Sequence, residues 1–216
     1  ASVRAAVGPD FPVAVKLNSA DFQKGGFAFE ESLQVAQWLQ EASIDLIEIS
    51  GGTYEQPKLL GLSGMEEEEK QNVAESTLMR EAYFVDFAVA MGEKVNVPLM
   101  VTGGFRQRAA MEQALQSGSA DVIGLGRPMC VMTDAPNQLI NGLDELPRYE
   151  DSLSLFPKWL AWLGNLKILK AVAGFAVQYW YYGQIDAIGR TGSANSKLTV
   201  FQATKQTMAL QKKLTR

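Results

Sequence analysis

Histidine is absent from the 216 residues, and with it goes the commonest general base and metal ligand. A Ser-His-Asp triad and a histidine zinc site are therefore excluded. Cysteine occurs once, at Cys130, so no internal disulfide can form. A single thiol suits a reducing, cytoplasmic setting and reads as a small apolar filler. A surplus of positive charge is lacking too. The formal net charge is -4, and no Lys/Arg cluster stands ready to neutralise a nucleic-acid backbone. In the aromatic-rich tail the longest charge-free run, Ala171 to Ile185, falls short of the about 20 residues a membrane span needs. No basic stretch leading into an apolar one opens the chain, as a signal peptide would. The expected partners are thus neither nucleic acid nor membrane.

What is present is core material, 47% of the residues being hydrophobic. It is organised around two segments, VPLMVTGGFR (Val97 to Arg106) and ADVIGLGRP (Ala120 to Pro128). Each is a short apolar run ending in glycine and then arginine. Leu99 to Thr102 reads as a buried strand breaking at Gly103-Gly104, and Val122 to Leu125 as another breaking at Gly126-Arg127. Arg108 to Gln116, between them, is helix-length. Two such βα units would place backbone N–H groups and helix N-termini around an anion, glycine allowing close approach. The pair is therefore a candidate phosphate clamp at the carboxyl end of a parallel barrel.

The rest of the chain extends the alternation. Ala1 to Val7 looks like the last turns of a helix stopped by Gly8 and Pro9, so the chain is expected to have lost its beginning. Phe11 to Leu17 is a strand carrying one charge, Lys16. Phe29 to Ala42 has helical apolar spacing, although Ala28 is a poor N-cap and Ser43 stands where glycine would end the helix better. Asp45 to Ser50 is a strand. Thr53 to Thr77 is a loop whose acidic run, Glu66 to Glu69, reads as solvated rather than metal-binding. Leu78 to Lys94 is helical in pattern. Four βα units with parallel strands make half of an eight-unit barrel, over residues 1–150. Its open edges, Val13 to Leu17 and Val122 to Leu125, would invite pairing with a second copy or a missing half. Residues 151–216 read as a helical C-terminal extension, with a break at Gly189 to Ser196 and a last helix over Lys197 to Arg216.

Lys16 must snorkel or meet an anion if its strand is buried; an ion pair with Asp21 or Glu48 is the plainer alternative. Arg106 and Arg127 are equally readable as helix-start residues paired with acids. Taken alone, the glycine turns name no cofactor and would serve a phosphate-binding barrel of other chemistry.

Five strings, VAVKLNSADFQKGGF, SIDLIEISGGTYEQP, REAYFVDFA, VPLMVTGGFR and SADVIGLGRP, together resemble the C-terminal half of the Old Yellow Enzyme family of NADH:flavin oxidoreductases. The resemblance covers roughly residues 1–150, and the tail string WYYGQIDAIGRTG matches more weakly. It implies the C-terminal half of a TIM (β/α)8 barrel and FMN as cofactor, with NADH or NADPH as reductant and a small-molecule acceptor such as an activated alkene. It places Lys16 near flavin N1, where its charge would stabilise the reduced anion. Gly103, Gly104, Phe105 and Arg106 match one phosphate loop, and Gly126 and Arg127 its partner, the arginine offering a charge-assisted bond. The family's substrate-binding histidine has no counterpart in a chain without histidine. No catalytic residue and no metal ligand is assigned. The chain is expected to be inactive in isolation; the alternative is a non-catalytic half-barrel that acts by self-association.

Overall fold

A computed structural model of the chain describes residues 2–21, 25–50, 85–155 and 167–214. Their contacts divide at Leu125/Gly126 into two compact units.

The first unit opens with the short helix α1 (Ser2–Val7), followed by β1 (Ala14–Asn18), α2 (Phe29–Glu41) and β2 (Leu46–Ser50). Next come α3 (85–92), β3 (Leu99–Thr102), α4 (Arg108–Gln116) and β4 (Val122–Gly124). The strands form one parallel sheet in the order β1-β2-β3-β4. Strands alternating with helices in this order are half of a TIM barrel, and β1 and β4 are its edges among the described residues.

Register explains which residues are buried. Lys16 pairs with Glu48, Glu48 with Met100 and Met100 with Val122, and one residue further Leu17, Ile49, Val101 and Ile123 align. Side chains alternate between faces, so odd-numbered residues share one face and even-numbered residues the other. Ile47, Ile49, Leu99 and Val101 are buried, each contributing on the order of 1.5–3 kcal/mol. The helices on that side bury Ala36, Ala88, Met91, Met111 and Ala114. A Cβ on Gly92 of α3 would stand 3.7 Å from Leu99 Cδ1, and Phe87 of α3 meets Phe29 of α2 edge-on at 4.3 Å. The even-numbered face is open, with Ala14, Lys16 and Val122 exposed. The first strand is thus covered on one face only, and the Lys16 side chain stands on the other.

The strand boundaries shift for local reasons. Proline offers no N–H to a ladder, and β1 starts two residues after Pro12. Asp45 precedes β2 instead of belonging to it. Its N–H donates to Val13 O at 3.0 Å, and its Oδ2 accepts from Val13 N at 2.6 Å. Asp121, immediately before β4, repeats the device on Leu99, donating to its carbonyl at 2.8 Å and accepting from its N–H at 2.8 Å. Ser43-Ile44-Asp45 and Ser119-Ala120-Asp121 are thus equivalent fastenings at the amino ends of two strands. Arg4 strengthens the first. Its guanidinium donates to the carbonyls of Gly8, Pro9, Phe11 and Ser43 and to Asp45 Oδ2. At the start of α2, the Ala28 N–H donates to Glu31 Oε2 at 2.7 Å. That is half of a capping box, since alanine has no oxygen to return the bond.

The second unit carries a 3-10 turn (Arg127–Cys130), helix α5 (Ala135–Ile140), a second 3-10 turn (Tyr149–Ser152), and helices α6 (Lys167–Thr191) and α7 (Val200–Leu214). Ala176, Trp180, Tyr181, Val200 and Ala203 form its core, with Cys130, Val131, Tyr149 and Leu198 packed against it. The break expected at Gly189 comes later. Helix α6 runs on to Thr191, held by the Asp186–Arg190 ion pair at 2.8 Å and a bond from Thr191 Oγ1 to Ala187 O. Gln184, fully buried, closes the loop after α6. Its amide donates to Asn195 O at 3.0 Å and accepts from Asn195 N at 2.7 Å. No helix among the described residues is long and apolar enough to cross a membrane. The acidic run Glu66 to Glu69, the segment 78–84, and Trp159 and Trp162 lie outside the described residues.

Candidate functional site

In the first unit the candidate residues lie on β1 and on the turn after β3. Gly103 and Gly104 have φ of 134° and 80°, a backbone that L side chains avoid. Two consecutive residues of this kind directly after Thr102 turn the chain sharply out of the strand toward α4. Phe105 is buried behind them, and Arg106, also buried, donates from Nη1 to Phe105 O at 2.9 Å.

Beside this turn the sheet ends in a polar row. Asn18 aligns with Ser50, and Thr102 with Gly124. Asn18 Oδ1, Ser19 Oγ and Thr102 Oγ1 are buried without a hydrogen-bond partner among the described residues. Buried polar atoms of this sort cost about 1–3 kcal/mol each unless something satisfies them. Sequence reasoning missed them, because an isolated Ser or Thr carries no pattern. Gly124 is obligatory in this row, since a Cβ there would stand 1.8 Å from Thr102 Oγ1.

Lys16, the third residue of β1, is half exposed, and its Nζ lies 2.8 Å from Glu48 Oε1 on the adjacent strand. The pair follows from register, because Lys16 and Glu48 are directly opposed and point to the same face. Of the alternatives open in the sequence, Glu48 is the partner; Asp21 instead receives Asn18 Nδ2 at 2.5 Å and Phe27 N at 2.9 Å.

In the second unit Gly126 precedes the turn that Arg127 opens. Nothing lies within 4 Å of where a Cβ on Gly126 would stand, so the space around its backbone is clear. Arg127 Nη1 lies 3.0 Å from Glu150 Oε1, and its side chain is 42% exposed. Pro128, next in the turn, is buried. The Cys130 thiol is pushed up from its ordinary pKa by burial, an effect that the nearby Arg127 charge only partly opposes.

No family model matches the chain. Over 193 residues it is 32% identical to the NADH-dependent flavin oxidoreductase iccE of Talaromyces variabilis, covering 88% of this chain and 45% of that protein. With the NADH-dependent flavin oxidoreductase iliE of Hypocrea jecorina it shares 38% identity over 131 residues, 60% of this chain and 31% of the relative. Among solved structures, a 2-naphthoyl-CoA reductase in complex with 2-naphthoyl-CoA superposes with a TM-score of 0.52 at 23% identity. That match covers 65% of this chain and 19% of the other, and it is a likeness of fold. The chain spans less than half the length of these relatives. In sequence the chain resembles part of the Old Yellow Enzyme-like flavin oxidoreductases, and in fold it is a parallel half-barrel.

Proposed function

We propose that this chain supplies half of an FMN site in an oxidoreductase that moves hydride from NADH or NADPH to an activated alkene or a similar small acceptor. By itself it would not turn over. The observation that carries the reading is the Gly103-Gly104 turn, with its two positive φ values directly after β3. The residues fit a phosphate ester. Unbranched backbone at 103–104 lets amide N–H groups approach an anion, and the buried Thr102 hydroxyl lacks a partner among the described residues.

FMN, when bound, supplies a two-electron carrier, chemistry that no side chain here offers. The chain's own residues hold and tune it. Gly103, Gly104, Phe105 and Arg106 would form one phosphate loop, and Gly126 and Arg127 the other. Lys16 would favour the negatively charged, reduced ring. Glu48, 2.8 Å from its amine, offsets part of that charge, so the lysine acts as one member of a pair.

The test is flavin uptake. Incubation with FMN followed by dialysis should leave flavin absorbance in the chain, and Arg127→Ala should lose it faster. Retention unchanged by Arg127→Ala would remove the arginine from the phosphate site.

A second reading rests on a different observation. Among the described residues β1 and β4 have no outer neighbour, and Lys16 and Val122 stand on an exposed face. A half-barrel with such edges would act by pairing with four further βα units, from a second copy or from another polypeptide segment. A stable dimer that takes up no flavin would favour this reading over the first.

A further inference from the structure

Arg127 is supported from behind. Its Nη1 meets Glu150 Oε1 at 3.0 Å, and the other oxygen of that carboxylate, Oε2, accepts from Tyr181 OH at 2.9 Å. Tyr181 is only 5% exposed and belongs to the core cluster between α6 and α7. A line of contacts therefore runs from the arginine's turn, through the second 3-10 turn, to a buried helix. The two turns are seated on the same core. Cys130 and Val131, at the end of the arginine's turn, pack on the cluster, and Tyr149, beside Glu150, lies 6.2 Å from the Trp180 ring. Trp180 is itself held by a bond from Nε1 to Leu198 O at 2.7 Å.

Arginine has a long side chain that loses much rotamer freedom when fixed. A carboxylate anchored on a buried phenol removes that freedom before any ligand arrives. It engages one terminal nitrogen and leaves the rest of the planar fork able to address an anion in two-pronged fashion. The same carboxylate also subtracts positive charge, which works against an anion. Its anchoring by Tyr181 argues that order outweighs charge.

We propose that Glu150 is the positioning residue for Arg127 and that Tyr181, acting through Glu150, makes the α6–α7 helix pair part of the anion-recognising apparatus. The proposal rests on the phosphate reading of Arg127 given above.

FMN and riboflavin differ only in the phosphate, so the ratio of their dissociation constants isolates it. The full chain and its Arg127→Ala, Glu150→Gln and Tyr181→Phe variants would be titrated with both flavins by fluorescence, with Tm measured alongside. Arg127→Ala should lower the preference for FMN at least tenfold. Glu150→Gln and Tyr181→Phe should each lower it by about three- to tenfold with riboflavin affinity unchanged; a merely structural role would weaken both flavins together. If Arg127→Ala lowers the preference while the other two leave it intact or raise it, the positioning role is overturned and the phosphate reading stands. A preference unchanged in Arg127→Ala overturns the phosphate reading of Arg127 instead. A second measurement needs no flavin. Nitrogen NMR of the Arg127 guanidinium should show distinct, slowly exchanging Nη signals in the free chain and averaged ones in Glu150→Gln. Averaged signals already in the unmodified chain would overturn the proposal.

Discussion

At the scale of single residues, the amino ends of β1 and β2 depend on one arginine and one aspartate. The Asp45 carboxyl is held below its ordinary pKa of 3.8, first by the Val13 N–H and then by the Arg4 guanidinium. A group whose folded pKa is depressed stabilises the fold at pH above the unfolded value, and that stabilisation fades as pH falls through the folded one. The acid limb of a Tm-versus-pH curve should therefore be shallower in Asp45→Asn than in the unmodified chain below about pH 4. Superimposable limbs would remove Asp45 from the acid response. Ser43, two residues earlier, has a φ of 60°, a left-handed backbone that costs a residue with a Cβ about 1 kcal/mol. Glycine there relieves the strain but loses more chain entropy on folding. The expected net effect of Ser43→Gly is a gain of about 0.5 kcal/mol in urea unfolding, and a loss would show that the serine is held by more than its backbone. That awkward serine was legible in advance, because it follows a helix at the position glycine prefers. The Arg4 contacts were not, since their acceptors are backbone carbonyls that no residue pattern announces.

At the scale of elements, β3 and α4 begin and end where the sequence places them, at Leu99–Thr102 and Arg108–Gln116. Both are bounded by unambiguous residues: a proline before the strand, glycines after it, and Gly118 beyond the helix. Helix α6 ran past its expected end because glycine tolerates helical geometry and Arg190 found Asp186 one turn back. The start of α7 carried a signal that went unread. Thr199 and Gln202 form a reciprocal cap, the Thr199 hydroxyl accepting from Gln202 N at 3.2 Å and the Gln202 side chain from Thr199 N at 3.0 Å. The loop between these helices hangs on Gln184, whose truncation in Gln184→Ala strands a backbone donor and acceptor on Asn195. A loss of about 2–4 kcal/mol in unfolding free energy is expected, and a loss under 1 kcal/mol would show that the loop satisfies itself another way. In the other unit, Gly124→Ala would drive a methyl into Thr102 and Met100 and should cost about 1–3 kcal/mol, read by the same unfolding curve.

At the scale of the whole molecule, the half-barrel was legible because four apolar runs alternate with helical spacing, and the family resemblance because five strings recur in order. The partner of Lys16 was narrowed to Asp21 or Glu48, and sheet register decided for Glu48; what could not be read was which acid meets Arg127, since Glu150 reaches it through packing. If the chain holds only half of the flavin site, NADH oxidation in the presence of added FMN should stay at the background rate, and saturable turnover by the chain alone would contradict that reading. The two Ser-x-Asp fastenings and the Arg4 latch occupy the amino ends of the strands, whereas the glycine turn and the hydroxyls of Ser19 and Thr102 occupy the opposite rim. Loops at that rim can therefore be exchanged, lengthened or recoded over generations while the stitching at the far hem stays whole. Such a scaffold can change what it recognises without first having to relearn how to fold.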